Sequence, residues 1–243
     1  MIIYHGSADI ISEPLYNFGK RYNDYGPGFY CTFDKDLAKE WAAKNNTDGY
    51  VNSYRLDLDS LSVLYLNSAE YNILHWLTVL LQNRTFSIKS TLAAAAKEYL
   101  LENFFIDYSV YDLIHGYRAD DSYFSFAQDF LSGTISFRQL SEAMYLGELG
   151  NQIVLKSRKA FSMIEFVGAE PVKASEWYPK VNARDRDARN QYLNVNRHSL
   201  QDDDVYVIDL IRGRIKPDDP SLQRTVPAKR AGEPGGNAGL RDA

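Results

Sequence analysis

The sequence predicts an α+β fold, and three observations carry that expectation. Short β-compatible runs stand near both ends of the chain, at residues 2–7, 29–33, 51–57 and 62–66 and again at 152–155 and 161–167. Apolar residues at helical spacing fill the middle, over 70–82 and 91–104. Between the two kinds of structure lies a Gly-rich turn, G-P-G at 26–28, that feeds a strand directly into a helix.

The first strand, I-I-Y-H-G-S at 2–7, ends in His5 and Gly6 and then loses its pattern. Residues 7–25 hold Pro14, Gly19 and several Tyr and Asn without a period, and read as a loop lying over a site. Lys20 and Arg21 in that loop are either solvated or available to a pyrophosphate. Gly26 and Gly28 flank Pro27, so the backbone turns tightly and can approach a ligand without a side chain in the way. Tyr30 is then presented by a turn. Asp34 or Asp36 caps a helix over 35–45 with Leu37, Ala38, Trp41 and Ala42 on one face, so Tyr30 and Trp41 face one another across the junction. The N-N-T-D-G run at 45–49 stops this helix.

Ser68 is a candidate N-cap for the helix over 70–82, in which His75 reads as packed or solvated. A strand at 111–116 enters the A-D-D turn at 119–121, where one aspartate caps a helix with Tyr123, Ala127, Phe130 and Leu131 on its apolar face. Gly133 ends that helix, and S-F-R-Q at 136–139 is a capping box that starts another through Tyr145. The alternating charges of 184–190 belong to an exposed helix or loop, Asp202 to Asp204 to a solvated acidic turn, and 205–211 to a strand or helix. From Lys216 onward Pro, Gly, Asp and Arg replace any apolar period, so a flexible tail is expected over 216–243 after a domain over 1–215, with a helical insertion at about 68–145.

Composition bounds the function. With 243 residues and 45% hydrophobic content the chain can bury a sizeable core. Twenty-seven basic against 32 acidic residues leave a net charge of −5, which gives no global footprint for nucleic acid, although a local basic patch would serve. The single cysteine, Cys31, rules out an intramolecular disulfide and fits a reducing compartment. In a strand it points away from the Tyr30 face, so it is expected to pack and not to react. A signal segment and an apolar run of membrane-spanning length are both lacking, so a cytoplasmic location without a membrane partner is expected. His5, His75, His115, His198 and Cys31 show no metal-ligand spacing. No phosphate-binding P-loop or nucleophile elbow occurs, and the G-x-G at 26–28 lacks the third glycine of a dinucleotide-binding turn.

Taken together, His5-Gly6, then Gly26-x-Gly28-x-Tyr30, then Trp41 eleven residues on, resemble the ADP-ribosyltransferase superfamily in its His-Tyr-Glu/Gln branch. D-L-I-H-G at 112–116, A-D-D at 119–121, F-L-S-G at 130–133 and N-Q-I-V at 151–154 are similar to a bacterial family of unknown function related to those transferases and often associated with toxin-antitoxin systems. The resemblance runs from Met1 to about Leu222, and its specificity lies in the order of the motifs. It implies a split, mixed sheet with the helical insertion, and NAD-dependent mono-ADP-ribosyl transfer to an intracellular protein or nucleic acid by a bacterial toxin or modifying enzyme. NAD would be the co-substrate and no metal is implied; related families often act with an antitoxin or immunity protein. The alternatives are an NAD glycohydrolase and a silent NAD- or ADP-ribose-binding module.

The same resemblance assigns roles. Tyr30 and Trp41 would sandwich the nicotinamide, the backbone of Gly6 would grip its carboxamide, Gly28 would keep the approach open, and His5 would donate to the adenosine-side ribose hydroxyl. Gln152 stands where the family carries a glutamate that bonds the nicotinamide-side ribose and opposes the oxocarbenium-like charge. An amide can accept from that hydroxyl but has no charge to oppose the cation. At about 4 Å a carboxylate would contribute on the order of 4 kcal/mol at an intermediate dielectric. Asp120 and Asp121 are the nearest candidates to supply the missing acid, and Glu148 is a further one.

Overall fold

The computed structural model describes residues 1–119, 121–144, 150–198 and 200–222, and the side chains of all of these except 121, 122 and 194–198. Its order is β1 (Ile2–Ser7), β2 (Phe29–Cys31), α1 (Lys35–Ala43), β3 (Gly49–Leu56), β4 (Val63–Tyr65), α2 (Ile73–Asn83) and α3 (Thr91–Asn103). There follow β5 (Leu113–Tyr117), α4 (Asp121–Leu131), α5 (Phe137–Ala143), β6 (Asn151–Leu155), α6 (Arg158–Ser162), β7 (Ile164–Val172), α7 (Ala174–His198) and α8 (Val207–Gly213). The fold is α+β.

Two sheets form. One is antiparallel in the order β1-β3-β7, and the other is mixed in the order β2-β6-β5-β4, with β4 and β5 its parallel pair. They meet at one bridge, where the Tyr4 amide donates to the Thr32 carbonyl at 2.8 Å and the Thr32 amide donates back at 2.9 Å. The alternation of strand side chains sorts the core. Ile3, Phe29, Cys31, Tyr54, Leu113, Ile153 and Leu155 pack between the two sheets. Ile114 and Val154 point the other way, into a larger core with Trp76, Leu77, Leu100, Phe126, Phe130 and Leu140 from the helices. Ala38, Ala42 and Trp177 pack α1 and α7 on the outer face of the antiparallel sheet. The 68–145 region is therefore more than an insertion of helices: β5, lying inside it, is an internal strand of the mixed sheet.

Most boundaries follow from caps. Asp34 Oδ1 accepts from the amides of Asp36 and Leu37 to start α1. α2 begins at Ile73 because Asn72, not Ser68, caps it, and His75 closes the capping box by accepting from the Asn72 amide at 3.2 Å. Ser136 and Gln139 form the capping box expected for α5. The strand expected over 161–167 starts later. Ser157 caps a short helix that takes up Phe161, and β7 runs from Ile164 on to Val172.

α7 is far longer than the exposed stretch read at 184–190, because alternating charges and Pro179 obscure its period. Its Tyr192 stacks on Phe126 with centroids 3.7 Å apart and donates to Asp129 at 2.6 Å. Residues 205–211 lead into helix α8. Asp202 and Asp203 are exposed, but Asp204 is not a solvated turn residue: its carboxylate is buried against Arg138 at 2.8 Å and accepts from Ser136. The stretch from Lys216 packs at its start, and Leu222 is buried in the larger core. The remainder of the expected tail lies outside the described residues. No helix of the described residues is long and apolar enough to cross a membrane.

Candidate functional site

His5, Gly28, Tyr30, Trp41 and Gln152 line a single cleft of about 480 Å³, within the rough range of 300–1,000 Å³ in which ligand sites fall. β1 supplies His5, β2 Tyr30, α1 Trp41 and β6 Gln152. The loop between β1 and β2 lies over the cleft as expected, contributing Pro14, Leu15, Phe18 and Gly19. Its base is pinned by β3, where the buried Asn52 accepts from the Ile11 amide at 2.8 Å and donates to Ser7 Oγ at 2.9 Å.

His5 and Tyr30 are joined directly. His5 Nδ1 lies 2.6 Å from the Tyr30 carbonyl, which can only accept, so Nδ1 carries the proton. Burial holds the His5 pKa below its ordinary value and outweighs that hydrogen bond, so the ring is neutral at pH 7 and Nε2 is an acceptor. In this tautomer Nε2 presents a lone pair, whereas the role expected of His5 called for a donor.

The Tyr30 hydroxyl donates to the Gly26 carbonyl at 2.6 Å and accepts from the Tyr25 amide at 3.0 Å, which closes the turn that delivers it. Burial pushes its pKa well up, so the phenol stays protonated. Gly26 adopts φ 70°, a left-handed conformation that suits glycine. Lys156 braces the same turn, donating from Nζ to the carbonyls of Tyr25 at 2.5 Å and Pro27 at 2.6 Å, with its pKa lowered to about 8 by burial. Gly28 lines the cleft, and β6 crowds it as well: a Cβ there would stand 2.6 Å from Val154 Cγ1.

Gly6 is not among the lining residues, and its missing side chain serves packing. A Cβ would lie 1.9 Å from the Ala38 carbonyl and 2.8 Å from Trp41 Cβ, so only glycine lets α1 come this close to β1. Its peptide group is placed differently. Tyr4 turns its N–H and C=O away from β3 to Thr32, and by the two-residue alternation of an antiparallel ladder Gly6 turns its own the same way.

A carboxylate outside the candidates named from the sequence lies against Gln152. Gln152 is 3% exposed, and its Nε2 donates to Asp24 Oδ2 at 2.9 Å and to the Tyr117 carbonyl at 3.3 Å. Asp24 also accepts from the Ala119 amide at 2.9 Å and pairs with Arg84 at 2.7 Å. Asp120 and Glu148 lie outside the described residues; Asp121 opens α4, with its side chain outside them. Lys20 and Arg21 are exposed and do not line the cleft, whose cations are Lys44, Arg84 and Arg118. The Arg118 guanidinium sits 5.5 Å above the Trp41 ring, and Trp41 Nε1 is buried without a hydrogen-bond partner among the described residues. Cys31 is fully buried between the sheets, and burial raises its thiol pKa well above the ordinary value, so it is a packing residue as expected. Among the described residues no cluster of His, Cys, Asp and Glu could hold a metal ion.

A family model described as "Protein of unknown function (DUF3990)" matches residues 1–166, more than half of the chain. The chain belongs to the DUF3990 family. No curated protein and no solved structure matches it. The matched span contains every residue that lines the cleft of this DUF3990 protein, while α7 and α8 lie beyond it.

Proposed function

We propose that this DUF3990 protein is an NAD-dependent mono-ADP-ribosyltransferase whose split pair of sheets is the ADP-ribosyltransferase-like arrangement. The observation that carries the reading is the His5–Tyr30 hydrogen bond, which ties the ends of β1 and β2 at a cleft that Trp41 and Gln152 also line. Tyr30 and Trp41 offer aromatic faces to a nicotinamide. Gly6 offers a peptide group to its carboxamide, and His5 Nε2 accepts from a ribose hydroxyl. Lys44, Arg84 and Arg118 against the single carboxylate of Asp24 leave the lining net positive, which suits a pyrophosphate.

In the reaction the bond from ribose C1″ to the nicotinamide nitrogen breaks, and nicotinamide leaves neutral with the bonding pair. A nucleophilic nitrogen or oxygen of the acceptor bonds to C1″ and releases its proton to solvent. Gln152 gives both amide hydrogens to Asp24 and Tyr117, so its Oε1 is the atom that accepts from the ribose hydroxyl, made more basic by the carboxylate behind it. Arg84 on the other oxygen of Asp24 offsets part of that charge. The stabilisation of the developing cation is therefore smaller than the roughly 4 kcal/mol of a bare carboxylate in contact range, and turnover is expected to be slow.

Labelled NAD incubated with the full chain and a cell lysate should release nicotinamide and leave label on a macromolecule, and Asp24→Asn and Gln152→Ala should each reduce both. Release without label would make the protein a glycohydrolase, with water as acceptor. Saturable NAD binding without any release would make it a binding module and overturn the enzymatic reading.

A further inference from the structure

We propose that the tip of the loop between β1 and β2 is a binding strip for single-stranded nucleic acid, which would be the acceptor of the transfer proposed above and in that role rests on it. The residues come from one stretch, P-L-Y-N-F-G-K-R-Y-N at 14–23, which contains two cations and no acid in a chain of net charge −5. Three rings stand out into solvent: Tyr16 is 41% exposed, Phe18 82% and Tyr22 72%. Lone exposed apolar residues are ordinary on protein surfaces, but three rings on seven consecutive residues interleaved with Lys20 and Arg21 are a pattern with a known use. Bases stack on exposed rings whatever their sequence, and cations between the rings meet the phosphates.

The surroundings extend the pattern in both directions. Arg158 lies 4.5 Å over the Tyr16 ring, and Tyr16 meets Phe161 edge-to-face at 5.6 Å. These three border a second hollow of about 430 Å³ that shares Pro14 and Leu15 with the cleft, so the loop separates two adjoining recesses. Glu13 borders that hollow too and is the acidic side chain nearest the strip in sequence on that side. In the other direction Phe18 and Gly19 reach the cleft itself, where Arg84, Arg118 and Lys44 continue the positive charge past Asp24. A strand stacked along the rim would thus bring a base or sugar to the mouth of the cleft that holds Tyr30 and Gln152. A protein partner would need acidic side chains spaced to meet Lys20 and Arg21 between its apolar contacts. A single strand carries a π-face and a phosphate in every unit, which is why the strip favours the polynucleotide.

The test is fluorescence anisotropy of the full chain with labelled oligothymidylate and oligouridylate of about a dozen nucleotides. Binding should weaken steeply with salt. Tyr22→Ala, at a ring that does not line the cleft, should weaken it roughly tenfold, as loss of one stacking platform does. Lys20→Glu with Arg21→Glu should reduce the salt slope by about 1.4, the value for two single-strand phosphate contacts. Neither change should alter release of nicotinamide into water. Binding of either oligonucleotide, or of both, supports the strip, and label passed from NAD to the bound oligonucleotide identifies it as an acceptor. Absence of binding at low salt, or binding indifferent to both variants, overturns it. If the oligonucleotides bind and NAD is not turned over, the strip stands and the transferase reading fails; if NAD is turned over and neither oligonucleotide binds, only the strip fails.

Discussion

Asp24 has three partners at the cleft, the Arg84 guanidinium, the Ala119 amide and the Gln152 amide, and it is buried among them. Replacing it with Asn removes the counter-charge of Arg84 and sets an NH2 donor either against Arg84 or against the Gln152 and Ala119 donors. Breaking a buried pair in this way costs about 3 kcal/mol, so Asp24→Asn should lower the midpoint of thermal unfolding as well as nicotinamide release. Gln152→Glu acts through the same contact. Two carboxylates at the 2.9 Å separation of this pair cannot both ionise. The variant's shared proton has a pKa raised above that of a free carboxyl, so its stability should be nearly normal at acid pH and fall as pH rises to neutral. Melting curves across that range would show it, and a flat profile would mean that the two side chains move apart. Tyr30 separates ring from hydroxyl. Tyr30→Ala should weaken NAD binding more than Tyr30→Phe, while Tyr30→Phe, which leaves the Gly26 carbonyl and Tyr25 amide without partners, should cost about 1–3 kcal/mol of stability. Isothermal titration beside thermal denaturation distinguishes the two effects.

The pairing of β1 with α1 sets the position of Trp41. Ala38 and Ala42 give the helix a small-residue face, and Gly6 beneath them removes the last obstacle. Gly6→Ala forces a methyl into the Ala38 carbonyl and against Trp41 Cβ, both on the helix backbone or at its root, where no flexible side chain can yield. Overpacking of this kind costs up to about 3 kcal/mol, and it displaces the indole. The variant should therefore melt earlier and bind NAD more weakly; unchanged NAD affinity in the folded variant would remove Trp41 from the site.

The whole molecule has a pH signature because its buried histidines are neutral. Burial lowers His115 to about 4 and shifts His5 and His75 in the same direction from the ordinary 6.5. The unfolded chain then binds more protons than the folded one below pH 6.5, so this stability is complete above that pH and is lost as pH falls toward the folded values. For His115, set between Phe33 and Tyr65, the full effect is on the order of 3 kcal/mol. Chemical denaturation at successive pH values should show stability declining from pH 6.5 downward, and His115→Gln should flatten that decline; an unchanged slope would place the proton uptake elsewhere.

The strands and most helix starts were legible because each signal is local: a period, a cap or a turn marks it within a few neighbours. His5, Tyr30, Trp41 and Gln152 were singled out by the order of motifs in the resemblance, and the fold brings them to one cleft. The order of the strands in two sheets, the 25 residues of α7 and the partner of Gln152 were not legible. Asp24 sits in a loop with no period, 128 residues from Gln152, and a contact across that distance leaves no mark on the spacing of either stretch. Lys44, Arg84 and Arg118 likewise follow a helix, a helix and a strand as ordinary polar ends, and only the convergence of those ends around one cleft makes them a set. The sequence by itself determined the local elements and, through the resemblance, the candidate residues, while long-range packing chose which carboxylate stands beside the amide.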